Sequence, residues 1–273
     1  MTLTSVLSGN PTIGFGGTSN QTLNTAGITL ATYIVDLGFS GTLSLLSDVT
    51  VSGQFVFGVS ATGCTRSLVT NNYSITASTL EASISTQTVT LGSSLITITG
   101  NDTSSGSAHS CAFPSTVSAG TSTLKFTDAT ANAKTIYSTG AVALYNIWLS
   151  GAGTGTFDIA LANGSSCNEI KADTPPHTIR FTASTTFTVK SFNIKGVAGS
   201  LMTISSITAA THTLSCASGL VSCDYLSVTN SIATGGARWF AGANSTNVSG
   251  NKNWRFTSAN YRSALSNTMN SSA

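Results

Sequence analysis

Leu30, Val51, Ile75 and Ile98 recur at an interval of about 21–24 residues, and each sits in a short run of alternating apolar and polar residues. The runs are Gly27-Ile28-Thr29-Leu30, Asp48-Val49-Thr50-Val51, Tyr73-Ser74-Ile75-Thr76 and Leu95-Ile96-Thr97-Ile98. A step in the low twenties constrains the fold strongly. One such unit cannot bury its own apolar row and must stack on the next, which is the behaviour of a solenoid. After a gap the same step resumes through Phe126, Ile147, Ile170 and Ile194. The expected fold is all-β, a parallel β-helix with coils of about 21–24 residues, in which these eight side chains form one inward row. Each buried member would contribute about 1.5 to 3 kcal/mol.

Composition agrees with that reading. The chain holds 45 Thr, 43 Ser and 26 Gly, and only 7% of its 273 residues are charged. Thr, Val and Ile suit pleated, half-buried strands, while Ser, Asn and Gly suit turns. Further strand-like runs lie between the periodic ones, at Thr42-Leu43-Ser44-Leu45-Leu46, Gln54-Phe55-Val56-Phe57 and Thr88-Val89-Thr90-Leu91, giving two or three strands per coil. A sandwich of hairpins would show more tight-turn dipeptides than the single Asn163-Gly164.

The organisation read from the sequence is one solenoid body over residues 1–257. Residues 1–25, with Gly14-Phe15-Gly16-Gly17, form a lead-in or cap, and residues 101–120, the longest stretch without periodicity, form a lateral loop. Asp173-Thr174-Pro175-Pro176 breaks two strands apart, since proline cannot donate to a ladder. Aromatic residues concentrate at Arg238-Trp239-Phe240 and Asn253-Trp254-Arg255-Phe256, which marks residues 237–257 as a C-terminal cap over the last apolar layer. Residues 258–273 are a Ser- and Asn-rich tail or contact arm.

Several chemistries are disfavoured. A net charge of +2 without a Lys or Arg run gives no basis for nucleic-acid binding, and no apolar stretch is long enough to span a membrane. Met1-Thr2-Leu3-Thr4-Ser5 lacks the start of a secretory signal. Cys64, Cys111, Cys167, Cys216 and Cys223 read as half-buried or buried thiols, and His109, His177 and His212 have no metal-ligand spacing. The glycines after residue 13 lack the lysine of a phosphate loop, and no G-x-S-x-G elbow is present. No catalytic, cofactor or metal residues are therefore assigned. A glycosidase would need two carboxylates about 5 to 10 Å apart; the nearest candidates are Glu169 and Asp173, with Asp158 stacking beside them across a coil. Trp148, Trp239 and Trp254 are the candidate glycan or subunit contacts, since an indole can stack on a sugar or pack in a cap.

One resemblance adds to this. Tyr145-Asn146-Ile147-Trp148-Leu149-Ser150-Gly151-Ala152-Gly153-Thr154-Gly155-Thr156-Phe157, followed by Asp173-Thr174-Pro175-Pro176-His177-Thr178-Ile179-Arg180-Phe181-Thr182-Ala183, resembles a segment recurring in phage-encoded virion proteins. Ser222-Cys223-Asp224-Tyr225-Leu226-Ser227 and Ala237-Arg238-Trp239-Phe240-Ala241-Gly242-Ala243-Asn244-Ser245-Thr246 are similar to the closing part of the same β-helical, Ser/Thr/Gly-rich repeat proteins of tailed phages. The likeness is clearest over residues 120–257 and fainter over 20–100. It implies a non-enzymatic structural or adhesive virion component (fibre, spike or capsid decoration), assembled in the host cytoplasm and released by lysis. Other virion proteins, copies of the same chain (a trimer among the options) and host-surface polysaccharide are the implied partners. A bacterial surface adhesin and a carbohydrate-cleaving tailspike are the alternatives. Unlike a complete fibre, the sequence shows no obvious head- or tail-docking module before the coils.

Overall fold

The computed structural model describes residues 13–30, 34–36 (as backbone), 39–58, 64–82, 86–103, 109–138, 140–151, 153–173 and 177–259, and these form a parallel β-solenoid without helices. Among them, one side is an eleven-stranded sheet running from Ile13–Phe15 to Thr246–Ser249. A second is a ten-stranded sheet from Thr29–Leu30 to Ser231–Thr234, and a third is a five-stranded sheet from Gln21–Leu23 to Val117–Ser118. Leu220–Ser222 and Arg238–Phe240 pair by themselves near the C-terminal end. Strands of successive coils pair in parallel.

Alternation drives each rung. In Gly41–Leu45, Leu43 and Leu45 are fully buried while Thr42 and Ser44 lie half-exposed on the outer surface, so a strand period of two feeds a continuous interior. All eight periodic residues are buried on the inner side, as expected. They form two adjacent rows rather than one. Leu30, Val51, Ala77, Ile98, Phe126 and Leu149 share a row, whereas Val49, Ile75, Ile96, Leu124, Ile147, Ile170 and Phe192 share the next. Most strands of this sheet present two inward positions, as in Val49–Val51 and Thr123–Phe126, and the series of periodic residues steps between them.

Two boundaries change. Residues 13–25 are already a coil, since Ile13–Phe15 pairs with Ile34–Asp36 and Gln21–Leu23 with Gly41–Leu45. Within the expected lateral loop, Cys111–Phe113 is a rung between Thr79–Glu81 and Lys134–Ser138, and Val117–Ser118 pairs with Gln87–Thr90. The extra length sits just before that rung: Leu80 pairs with Cys111, a longer step along the chain than the one from Phe55 to Leu80. Cys111, Ala112 and Phe113 are all buried, so their side chains show no alternation to betray a strand. The Pro175-Pro176 break, residues 104–108 and 260–273, and the first twelve residues lie outside the described residues.

Stacked corners explain much of the Ser, Thr and Gly content. Buried Ser94 donates its hydroxyl to Thr70 Oγ1 at 2.8 Å, and Thr70 donates to the Leu91 carbonyl at 2.9 Å. On the same corner Asn72, Gly92 and Gly120 all have positive φ, and a Cβ on Gly120 would collide with the Gly92 carbonyl, which leaves glycine as the residue that fits. The Gly151, Gly153 and Gly155 run has a related cause. A Cβ on any of them would strike the backbone carbonyls of residues 128–132 in the coil below.

The C-terminal cap is aromatic. Trp239 is 2% exposed and Trp254 8%, with ring centroids 5.0 Å apart and both rings beside Phe192. Their indole nitrogens donate to the Thr234 carbonyl and to Ser231 Oγ, each at 3.0 Å. Phe240 is buried and Phe256 partly so. Beyond Arg238–Phe240 the chain continues the coil through bridges of Lys252 to Ile232 and of Arg255 to Phe240.

Candidate functional site

The outer surface of the ten-stranded sheet carries two columns set by register. One reads Thr29, Thr50, Thr76, Thr97, Lys125, Trp148, Lys171 and Asn193. The other includes Leu95, Thr123, Asn146, Glu169 and Ser191. Neighbouring rungs lie about 4.8 Å apart, so each column is a ladder of side chains along the solenoid axis.

Between the columns lies an open hollow of about 220 Å³, bounded by Ser93, Leu95, Thr123, Asn146, Trp148 and Glu169. Leu95 is 38% exposed and gives it an apolar wall. Its polar groups are already oriented: Asn146 donates to Thr123 Oγ1 at 3.3 Å, Asn168 donates to Asn146 Oδ1 at 3.1 Å, and Asn193 donates to Glu169 Oε1. Trp148 is held on three sides. The Lys125 and Lys171 ammonium groups lie 4.2 and 3.9 Å from its ring centroid, and its Nε1 donates to Asp173 Oδ2 at 2.6 Å. Both lysines come from the adjacent rungs and place positive charge against the indole ring.

The three tryptophans thus part company. Trp148 borders the trough, whereas Trp239 and Trp254 face the interior and present no open ring face to a ligand. Sequence reasoning named Trp148 and missed its companions; the equal steps from Lys125 to Trp148 and from Trp148 to Lys171, each one coil long, were the signal that could have found them.

The two candidate carboxylates nearest in sequence do not stand side by side. Glu169 and Asp173 are four residues apart, which along extended chain separates their Cα atoms by roughly 13 Å. Asp158 does not join them. It lies in the eleven-stranded sheet, where Arg180 grips it through two hydrogen bonds of 2.6 Å. Asp102 accepts from Ser110 and Thr135, and Asp48 from the Ser74 amide. Asp128 is ion-paired with Lys134 at 2.9 Å. Burial works against its charge, yet the hydrogen bonds from Thr130 and Lys134 and the lysine's charge hold its carboxyl below the usual range. Asp224 behaves likewise: burial opposes its ionisation, and bonds from Asn244 and the Tyr225 amide outweigh it.

The cysteines are free and four of the five are buried. Burial raises the Cys111 and Cys167 thiols, with Glu81 and Glu169 adding to the effect, and pushes Cys223 up to about 12. Such thiols are poor nucleophiles. Among the described residues no cluster of three metal-ligating side chains occurs, and no helix is long and apolar enough to cross a membrane.

Scanned against known protein families the chain matches none, and searches of curated proteins and of solved structures return no match either.

Proposed function

We propose that this chain is a non-enzymatic structural and adhesive component of a phage virion, a fibre, spike or capsid decoration whose ten-stranded face holds host-surface glycan. One observation carries the adhesive half: the trough beside Trp148 combines an exposed apolar wall with fixed amide, hydroxyl and carboxylate groups, the mixture that suits a sugar's apolar and hydroxylated faces. It runs with the solenoid axis, so an extended oligosaccharide lies across several rungs. The non-enzymatic half is supported by carboxylates committed to structural bonds. The virion assignment draws on the resemblance over residues 120–257, and other virion proteins and copies of the chain are the assembly partners it expects.

Binding of a host-surface polysaccharide to the purified chain, followed by calorimetry alongside a reducing-end assay, tests this. Trp148→Ala and Asn146→Ala should each weaken binding by about tenfold, with no new reducing ends formed. The double variant Glu169→Gln, Asp173→Asn alters the trough's own carboxylate and the acceptor of Trp148 Nε1, so it should weaken attachment as well, again with no reducing ends formed. Release of reducing ends that this double variant abolishes would establish a tailspike hydrolase instead. Electron microscopy of particles decorated with antibody to the chain tests the virion assignment; label on bacterial envelopes rather than particles would make it a surface adhesin.

A further inference from the structure

The solenoid is electrically polarised along its axis. Residues 1–120 hold one basic residue, Arg66, against Asp36, Asp48, Glu81 and Asp102, a net charge of −3. Residues 121–180 hold four of each sign. Residues 181–259 hold Lys190, Lys195, Arg238, Lys252 and Arg255 against Asp224 alone, a net charge of +4. Stacking converts this sequence asymmetry into a spatial one, because each coil lies directly on the one before.

The basic end also carries an open hollow of about 390 Å³. The exposed Arg238 and Arg255 stand on its rim, Thr234 and Asn253 add polar groups, and the buried Trp239 and Trp254 line its floor. Arg255 is anchored by its approach to the Phe240 ring, 5.3 Å from the centroid. Neither arginine is ion-paired among the described residues, where Lys134 and Arg180 do hold such partners. Asp224, the acid of this region, is occupied by Asn244 and the Tyr225 amide. Two available guanidinium forks beside a partly apolar, partly hydroxylated floor match a planar carboxylate carried on a sugar ring.

We infer that the C-terminal end of the solenoid is a second binding site, specific for carboxylate-bearing glycan and separate from the trough at Trp148. The basic pole orients the rod, drawing that end first to an acidic polysaccharide layer. The site is built from different residues than the trough, so it stands or falls independently of the adhesive reading above.

The test is calorimetry of the full chain with a trigalacturonate probe, a neutral maltotriose, inorganic phosphate and duplex DNA. The expected result is trigalacturonate binding that weakens as salt rises, about tenfold weaker in Arg238→Gln and again in Arg255→Gln, unchanged in Trp148→Ala, and absent for maltotriose. Both arginines are exposed, so unaltered thermal midpoints should accompany the loss. Equal maltotriose binding, no trigalacturonate binding at millimolar concentration, or an unaffected Arg238→Gln, Arg255→Gln double variant overturns the inference. Phosphate or DNA binding as tight as trigalacturonate would make this a phosphate-recognising end and overturn it equally.

Discussion

Replacing Trp239 by alanine probes how the last coil is closed. The indole is almost fully buried, packs on Phe192 and Trp254 and donates to the Thr234 carbonyl. Removing a buried tryptophan costs about 3 to 5 kcal/mol. In a solenoid that cost is not shared over the whole body, because each coil is stabilised by its own packing and by its neighbours. The C-terminal coils should therefore open alone. A loss of about 3 kcal/mol corresponds to roughly a hundredfold larger open population. Native-state hydrogen exchange should show that acceleration for amides of Leu226–Thr229 and Ser231–Thr234, while amides flanking Ile147 and Ile170 keep their protection. Trp239→Phe should restore most of it. Truncation at Gly236 is the extreme case and should aggregate, since it removes the aromatic layer and uncovers both Phe192 beneath it and the strand edge of Leu220–Ser222. Protection unchanged everywhere, or a uniform loss from end to end, would refute the idea that these aromatics form a terminal cap.

Three further perturbations address the interior. His212 is buried with its Nδ1 at 2.8 Å from Ser206 Oγ, and burial depresses it to about 4. The unfolded chain takes up that proton first, near the ordinary value of about 6.5, so stability should fall as pH drops from there toward 4, by at most about 3 kcal/mol. Urea melts across that range should show the slope in the native chain and its loss in His212→Leu. Asp128→Asn removes the partner of Lys134, whose side chain is 7% exposed, and should cost roughly 3 to 5 kcal/mol by stranding a buried charge. Its stabilising effect in the native chain is present above the ordinary aspartate value and fades as pH falls below it, so the gap between the two proteins should narrow in acid melts. Gly120→Ala should cost about 1 to 3 kcal/mol, through both its positive φ and the collision with the Gly92 carbonyl, and Gly120→Asn should be no better, because relief of φ leaves the collision in place.

The solenoid was legible because its signal is repeated. Leu30 or Ile147 alone says little, but an interval in the low twenties that recurs in both halves admits few folds. Row membership was not legible. Ile75 and Ile98 are both inward, yet only the register Ala77 to Ile98 shows that Ile75 belongs to the neighbouring row, and a shift of two residues leaves the apolar pattern unchanged. Cys111–Phe113 escaped for the opposite reason: covered on both sides, it has no polar positions to alternate with. The trough was half visible, since Trp148 draws the eye while Lys125 and Lys171 become its neighbours only through stacking.

Charge offers the clearest case of a whole-chain number concealing a local one. A net charge of +2 read as giving no basis for nucleic-acid binding. In a globule that reasoning is fair, because residues distant in sequence mix over the surface and their fields partly cancel. A solenoid preserves sequence order as distance along its axis. With rungs about 4.8 Å apart, the acidic first coils and the basic last coils are separated by several Debye lengths at physiological salt, where one is about 8 Å. An incoming polyanion at the C-terminal end therefore meets Arg238, Lys252 and Arg255 without feeling Asp48 or Glu81, and the two ends act as surfaces of opposite sign. Exchanging Arg238 and Arg255 for glutamate should accordingly abolish polyuronate binding at low salt, whereas replacing Asp48 with lysine, at the far end, should leave it unchanged. A clear gain in binding from that distant substitution would mean that net charge governs the encounter rather than the polarity of the rod.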